Sequence, residues 1–80
     1  MTATDYAIRR MTRRGVTMSH VAEALASEES RETQPDGRLR IWGWSNGHGH
    51  CLRVIIEADG ETLVNAFPDE KCTKRIRKTK

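Results

Sequence analysis

Long hydrophobic runs are absent from this chain of 80 residues. No apolar stretch approaches the roughly 18 residues that a membrane-spanning helix requires. The first residues, Met1 to Asp5, lack the basic and then apolar layout of a secretory signal peptide. The sequence therefore predicts a cytoplasmic protein that does not insert into a membrane.

Cysteine is scarce, with only Cys51 and Cys72 in the chain. Two cysteines can form one disulfide bond, but without a signal peptide we expect both to be reduced. His48, His50 and Cys51 have the spacing of metal ligands on a strand, yet no second pair stands at zinc-finger spacing. We therefore expect no metal and no cofactor. The two histidines are instead candidates for a general acid or base, because the unperturbed pKa of histidine lies near neutrality.

Charge, by contrast, is abundant and lies in blocks of one sign. Residues 1–20 carry four arginines and one aspartate, and residues 71–80 carry six basic and no acidic side chains. Residues 21–37 and 59–70 are acidic. Such blocks create local fields stronger than the net charge of +3 suggests. The basic blocks favour a polyanionic partner.

Two helices are predicted near the N-terminus. The first runs from Asp5, which caps it, to Arg14, and Gly15 ends it. The second runs from Met18 to Ser27 after a cap at Thr17 or Ser19. Helical spacing predicts that their core-facing residues are Ala7, Ile8, Met11, Val21, Ala22, Leu25 and Ala26. Because the second helix presents glutamates, we do not expect it to read DNA.

Three strands are predicted between Arg38 and Phe67, joined by a Gly/His loop over residues 45–50 and by an Asp59-Gly60 hairpin turn. Arg31 to Gln34 is a candidate edge strand. The alternation of residues predicts that one set of side chains points towards the helices: Leu39, Ile41, Leu52, Val54, Ile56, Val64 and Ala66. It directs another set to the opposite face: Arg38, Arg40, Trp42, Trp44, Arg53, Ile55, Leu63, Asn65 and Phe67.

The predicted fold class is therefore α+β, with two N-terminal helices packed on a three- to four-stranded antiparallel sheet. The length indicates one domain over residues 1–80. Residues 69–80 form either a short helix or a basic C-terminal tail.

The order of several short motifs resembles a family of small bacterial domains of unknown function. The matching segments are Tyr6-Ala7-Ile8-Arg9-Arg10-Met11-Thr12-Arg13-Arg14-Gly15, Gly37-Arg38, Leu52-Arg53-Val54-Ile55, Asp59-Gly60 and Asn65-Ala66-Phe67-Pro68. The resemblance covers roughly residues 5–70. These domains are similar to RelE-like toxins of the barnase–EndoU–colicin–RelE fold. Tyr6 replaces the histidine that opens the family pattern, and Asn65 and Phe67 replace a threonine and a tyrosine.

The resemblance implies a metal-independent ribonuclease that cleaves mRNA or tRNA and is neutralised by an antitoxin or immunity protein. Such cleavage needs a base, an acid and a cation that stabilises the phosphorane. Arg53 is the candidate cation, and its alternative role is a salt bridge with Glu57 or Glu23. Tyr6 is the candidate base or acid, with Arg10 lowering its pKa. Asn65 is a candidate to hold a phosphate oxygen.

RNA-binding residues are predicted on the strands and in the last basic block. Arg38, Arg40, Trp42 and Trp44 form an aromatic and basic stripe on which bases could stack. Its alternative is a second small core or a protein interface. Lys71, Lys74 and Arg75 are candidate phosphate contacts or part of a solvated tail. The replacements at Tyr6, Asn65 and Phe67 favour a second hypothesis, a non-catalytic member of the fold that binds RNA or a protein.

Overall fold

A five-stranded sheet carries helices on both of its faces. The computed structural model describes residues 1–79, with the backbone alone described at Thr79. Along the chain the elements are β1 (Thr2–Ala3), α1 (Asp5–Arg13), α2 (Met18–Ala26), β2 (Glu28–Thr33), β3 (Leu39–Ser45), β4 (His50–Ile56), β5 (Thr62–Pro68) and α3 (Glu70–Thr79). The strand order is β1-β5-β4-β3-β2, with β1 parallel to β5 and the other pairs antiparallel.

This architecture confirms an α+β fold in which two N-terminal helices precede the main strands. The sheet has five described strands and is not wholly antiparallel, because β1 pairs with β5 in parallel. The edge strand predicted at Arg31 to Gln34 is the longer β2. Residues 70–79 form a helix rather than a tail, and Lys80 lies outside the described residues. No described helix is both long enough and apolar enough to cross a membrane.

Local side-chain chemistry sets the ends of α1 and α2. Thr4, not Asp5, caps α1, because its Oγ1 accepts a hydrogen bond from the N–H of Ala7 at 3.0 Å. Gly15 follows α1 with φ at +66°, a left-handed conformation that suits glycine. Thr17 caps α2 and exchanges reciprocal hydrogen bonds with His20, which completes a capping box.

The main core lies between these two helices and the sheet. Its buried residues are Ala7, Met11, Val16, Val21, Ala24, Ile41, Leu52, Val54, Ile56, Leu63 and Ala66. Three helix positions expected in the core are exposed instead: Ile8, Ala22 and Ala26. Each helix contacts the sheet through a stripe narrower than the sequence pattern suggested, so apolar residues beside the stripe face solvent.

The predicted assignment of side chains to the two faces of the sheet is confirmed for β3 and β4 but is wrong for the start of β5. Ile55 pairs with Asn65 while Ile56 pairs with Leu63, so Val64 is an extra residue in a β-bulge. The bulge reverses the alternation at that point. Leu63 is therefore fully buried in the core and Val64 is only half-buried, which corrects the prediction for both.

The turn between β4 and β5 is longer than the predicted two residues. It spans residues 57–61 between the two strands. The Asp59 carboxylate accepts hydrogen bonds from the N–H of Glu61 at 2.8 Å and from the N–H of Thr62 at 2.9 Å. Gly60 follows it with φ at +74°. The Asp-Gly signal thus located the hairpin correctly, and side-chain hydrogen bonding lengthened its loop.

Helix α3 packs on the sheet face opposite α1 and α2. A disulfide joins Cys51 of β4 to Cys72 of α3, and these cysteines pack with Ile76 against Trp42 and Trp44. The expectation of reduced cysteines is therefore wrong for this structure. The disulfide bond can form because the first turn of α3 passes over β4, which brings the two Cα atoms to within 5.7 Å of each other. The alternative of a second small core at the tryptophans is confirmed.

Candidate nucleic-acid interface

The part of the sheet that α3 leaves uncovered forms a groove of about 350 Å³. We call it the sheet groove, and its lining residues are Ser30, Arg31, Glu32, Trp42, Arg53, Asp69, Lys71 and Arg75. Four basic side chains face two acidic ones there, so the groove carries net positive charge. Strands β2 to β4 supply the floor, and the first turns of α3 supply one wall.

Arg53 lies at the centre of this surface. It stands on the middle strand β4, opposite Phe67 of β5. Its Nη2 donates to Oδ2 of Asp69 at 2.8 Å and its Nε to the same oxygen at 3.2 Å. The guanidinium carbon lies 5.5 Å from the ring centroid of Trp42 and 5.2 Å from that of Phe67. The predicted alternative of a salt bridge is present, but with Asp69 instead of Glu57 or Glu23.

Asp69 fixes the position of both Arg53 and α3. Its side chain is only 8% exposed. Oδ1 accepts from the N–H of Cys72 at 2.9 Å, and Oδ2 accepts from the Trp42 Nε1–H at 3.1 Å as well as from Arg53. Burial by itself raises the pKa of this carboxyl group. The hydrogen bonds from Cys72, Arg53 and Trp42, with the charge of Arg53, outweigh burial, so the pKa lies below its usual value.

The two tryptophans combine a structural role with partial exposure. Both are half-buried against the Cys51–Cys72 disulfide. Trp42 also lines the sheet groove, whereas Trp44 donates from Nε1 to Oδ1 of Asn46 at 3.0 Å and is absent from the groove lining. Trp42 is therefore the tryptophan that a base in the groove can reach.

Three other predicted residues of the strands do not line the groove. Asn65 is on the same face as Arg53, two cross-strand pairs away, and its Oδ1 accepts from the N–H of Ala66 at 2.9 Å. Arg38 pairs with Glu57 at 2.6 Å. Arg40 lies 3.8 Å from Glu32. These acids neutralise the two predicted RNA-binding arginines locally, so neither offers a free cation.

The predicted residues of α3 separate into two groups. Lys71 and Arg75 stand one helical turn apart and both line the groove. Lys74 does not line it and lies 4.0 Å from Glu70 in an exposed pair. Within this short helix, Lys71 and Arg75 therefore line the groove, whereas Lys74 faces solvent.

Tyr6 and Arg10 lie away from Arg53 and Asn65. Helix α1 packs on the opposite face of the sheet, and the ring of Tyr6 is half-exposed on its outer side. The Arg10 guanidinium carbon lies 4.7 Å from the centroid of that ring. The expected arrangement, in which α1 brings a tyrosine to Arg53, is therefore not formed.

His48 and His50 occupy a third location, at the β3–β4 turn beside α2. Their Nδ1 atoms are 2.9 Å apart, and the ring of His48 contacts that of His20 with 5.2 Å between centroids. Nearby, the Glu23 carboxylate accepts hydrogen bonds from the Ser45 hydroxyl and from the N–H of Gly47. Both bonds lower the pKa of Glu23, and the bond from Ser45 has the larger effect. Across residues 1–79, no three His, Cys, Asp or Glu side chains are grouped to hold a metal ion.

Sequence reasoning missed Asp69, Arg31 and Glu32 of the groove. Asp69 had a readable signal, because an aspartate that follows Pro68 and precedes a helical segment is a typical N-cap. Arg31 and Glu32 had none, since they belonged to a polar segment whose pairing with β3 is a tertiary feature.

Comparison with known proteins adds no assignment to this geometry. No protein-family model, no curated protein and no solved structure matches the chain.

Proposed function

We propose that the protein binds single-stranded RNA in the sheet groove and does not cleave it. The observation that carries this proposal is that Trp42 lies beside Arg53 in a groove that the α3 cations Lys71 and Arg75 also line. Small single-strand-binding folds combine the same two elements, an aromatic face for bases and cations for the phosphates.

The cations of the α3 wall suit phosphate contacts because nothing neutralises them. Among the described residues, no carboxylate lies within 4.0 Å of the charged nitrogens of Lys71 or Arg75. Arg75 donates only to Sγ of Cys72, at 3.4 Å. A strand lying along α3 gains these two contacts without breaking an existing ion pair.

The positions of the titratable groups argue against cleavage. Tyr6 and Arg10 are on the far side of the sheet, and His48 and His50 are at the β3–β4 turn beside α2. The groove itself holds Asp69 and Glu32 as its titratable acids. Asp69 is a weak base because its pKa is lowered, and its oxygens already accept hydrogen bonds. The groove therefore does not place a base and an acid on opposite sides of one phosphate.

A RelE-like ribonuclease that is neutralised by an antitoxin or immunity protein is the competing hypothesis. It rests on the motif resemblance, and it requires a conformational change that brings acid–base groups to Arg53. One experiment decides between the two functions.

The experiment measures binding and cleavage of the same labelled oligouridylate of roughly six nucleotides, within the site sizes of small single-strand-binding folds. Fluorescence anisotropy gives the dissociation constant, and a denaturing gel with chelator present reveals products. Lys71→Gln removes a cation that lines the groove. Lys74→Gln removes an equal charge from the same helix at a position that does not line the groove. We expect Lys71→Gln to bind a few-fold more weakly and to reduce the salt slope by about 0.7, with Lys74→Gln close to wild type.

Three results would count against the proposal. Equal losses in Lys71→Gln and Lys74→Gln would show that net charge, not the groove, governs binding. Metal-independent products from the wild type would establish the ribonuclease. Tighter binding to duplex DNA than to the oligouridylate would indicate a different ligand.

A further inference from the structure

The outer side of α1 is a second basic surface. Tyr6, Arg9, Arg10 and Arg13 line a shallow depression of about 180 Å³ there. Together with Arg14 they form what we call the α1 arginine surface. Arg10 rests on the exposed ring of Tyr6, so the depression also combines a cation with an aromatic face.

These arginines differ from those of the sheet in having no acidic partner. Arg31, Arg38, Arg40 and Arg53 each have a carboxylate within 4.0 Å, whereas within residues 1–79 none of the four arginines of the α1 arginine surface has one. Like charges at i and i+4 on a helix are destabilising. Arg10 and Arg13 gain some stabilisation from the helix dipole in the last turn of α1, and an anionic partner would relieve the repulsion among the arginines.

An arginine and a phenylalanine connect this surface to the sheet groove. The Arg14 guanidinium carbon lies 5.0 Å from the ring centroid of Phe67, and that of Arg53 lies 5.2 Å from the same centroid. Phe67 therefore has a cation of α1 and a cation of the groove as neighbours. Tyr6, Arg10 and Arg14 recur every four residues, so they follow one side of α1 towards Phe67.

The sheet edge between the two surfaces carries little strand pairing. Strand β1 pairs only with Thr62 and Leu63 of β5, and the rest of β5 has no other strand beside it among the described elements. A nucleic-acid strand can therefore pass from one face of the molecule to the other beside Phe67 without displacing a strand.

We propose that the α1 arginine surface continues the RNA-binding site. An RNA longer than the groove leaves it across the β5 edge of the sheet, passes Phe67 and Arg14, and lies along α1 with its phosphates on the arginines. The ligand class is single-stranded RNA, and the inference rests on the function proposed for the groove. Helix α1 adds about 13 Å to the path, at 1.5 Å for each of its nine residues.

The test compares a short oligouridylate of roughly six nucleotides with a long one of about twenty, which exceeds the site size of a single small fold. Arg9→Gln/Arg13→Gln removes two charges from α1. Lys74→Gln/Lys78→Gln removes two charges from exposed positions of α3 that line neither surface. Arg9→Lys/Arg13→Lys keeps the charge and reports whether substitution itself is harmful.

We expect Arg9→Gln/Arg13→Gln to bind the short RNA like wild type and the long RNA about tenfold more weakly, with a salt slope smaller by about 1.4. The other two variants should bind both lengths like wild type. Equal loss for both lengths would overturn the inference, because the effect would then not depend on RNA beyond the groove. Unchanged binding of the long RNA would also overturn it and would point to an acidic protein on α1.

The two proposals fail in different ways. If the wild type does not bind the short RNA, the function proposed for the groove is wrong and the inference falls with it. If the wild type binds the short RNA but gains nothing from the additional length, the groove proposal stands and only the extension along α1 is wrong.

Discussion

Asp69 connects the second core to the sheet groove, because it bonds to Cys72 and Trp42 as well as to Arg53. Its two oxygens cap α3, hold Arg53 and accept from Trp42. Such a buried carboxylate is stable only because its hydrogen bonds to charged and polar donors replace the lost water. The sequence placed Arg53 correctly on the outer face of the sheet. It did not reveal this partner, because Asp69 lies sixteen residues further along the chain and is brought to Arg53 by tertiary packing.

The pH dependence of stability should report this carboxylate. The folded pKa of Asp69 lies below the value of 3.8 typical of aspartate, so its stabilisation is present above that pH and is lost as pH falls through the folded pKa. Asp69→Asn preserves the cap but removes the charge. We expect chemical denaturation from pH 6 down to roughly pH 2 to show the wild type losing its advantage over Asp69→Asn below about pH 4. A constant difference across that range would mean that Asp69 does not supply the pH-dependent term.

At the scale of elements, α2 lies close against β3 at Gly43. A methyl group on Gly43 would overlap the backbone carbonyl of Ala24, and that backbone cannot move without shifting the helix. We expect Gly43→Ala to lower the free energy of unfolding by at least about 3 kcal/mol. Gly15→Ala is the matched control, since it has open space but a left-handed φ, and should cost about 1–2 kcal/mol. Urea denaturation of both variants measures the difference, and similar costs would contradict a close contact at Gly43.

Some features of the helices, strands and turns were predictable from the sequence and others were not. Caps and turn residues act locally, so Gly15, Thr17 and the Asp59-Gly60 hairpin marked real boundaries. The bulge at Val64 was not predictable, because it depends on how β5 pairs with β4. The docking of α3 opposite the other helices was not predictable either. Cys72 and Ile76 give only a short apolar pattern within a basic block, and their partner Cys51 is twenty-one residues away.

For the whole molecule, the sheet divides the candidate site predicted from the sequence. Arg53 lines the groove and Asn65 lies on the same face of the sheet, while Tyr6 and Arg10 belong to α1 on the other side. Alternation along strands predicted the first pair, because that pattern is set by the backbone. Helical spacing left Tyr6 out of the core-facing residues of α1, but nothing local indicated which face of the sheet this helix would cover. The charge blocks of the sequence nevertheless correspond to surfaces, since the arginines of α1 line one depression and the α3 cations Lys71 and Arg75 line the sheet groove.

The disulfide makes the stability of the whole domain depend on α3. It closes a loop of twenty-one residues, which corresponds to about 3 kcal/mol of stabilisation in the chain-entropy description. A domain of this size has a total stability of only about 4–12 kcal/mol. We therefore expect Cys51→Ala/Cys72→Ala to unfold at a temperature lower by about 15 °C, measured by circular dichroism.

Under the function proposed for the groove, RNA should partly reverse that loss, because a ligand that binds only the folded state stabilises it. At one hundred times its dissociation constant, RNA adds about 2.7 kcal/mol, close to the contribution of the disulfide. Recovery requires α3 to stay docked, since Lys71 and Arg75 form the groove wall. Melting of the double alanine variant with and without oligouridylate, alongside Lys71→Gln in the same background, tests this coupling. Equal recovery in both proteins would show that Lys71 does not contribute to RNA binding and would contradict the site as described.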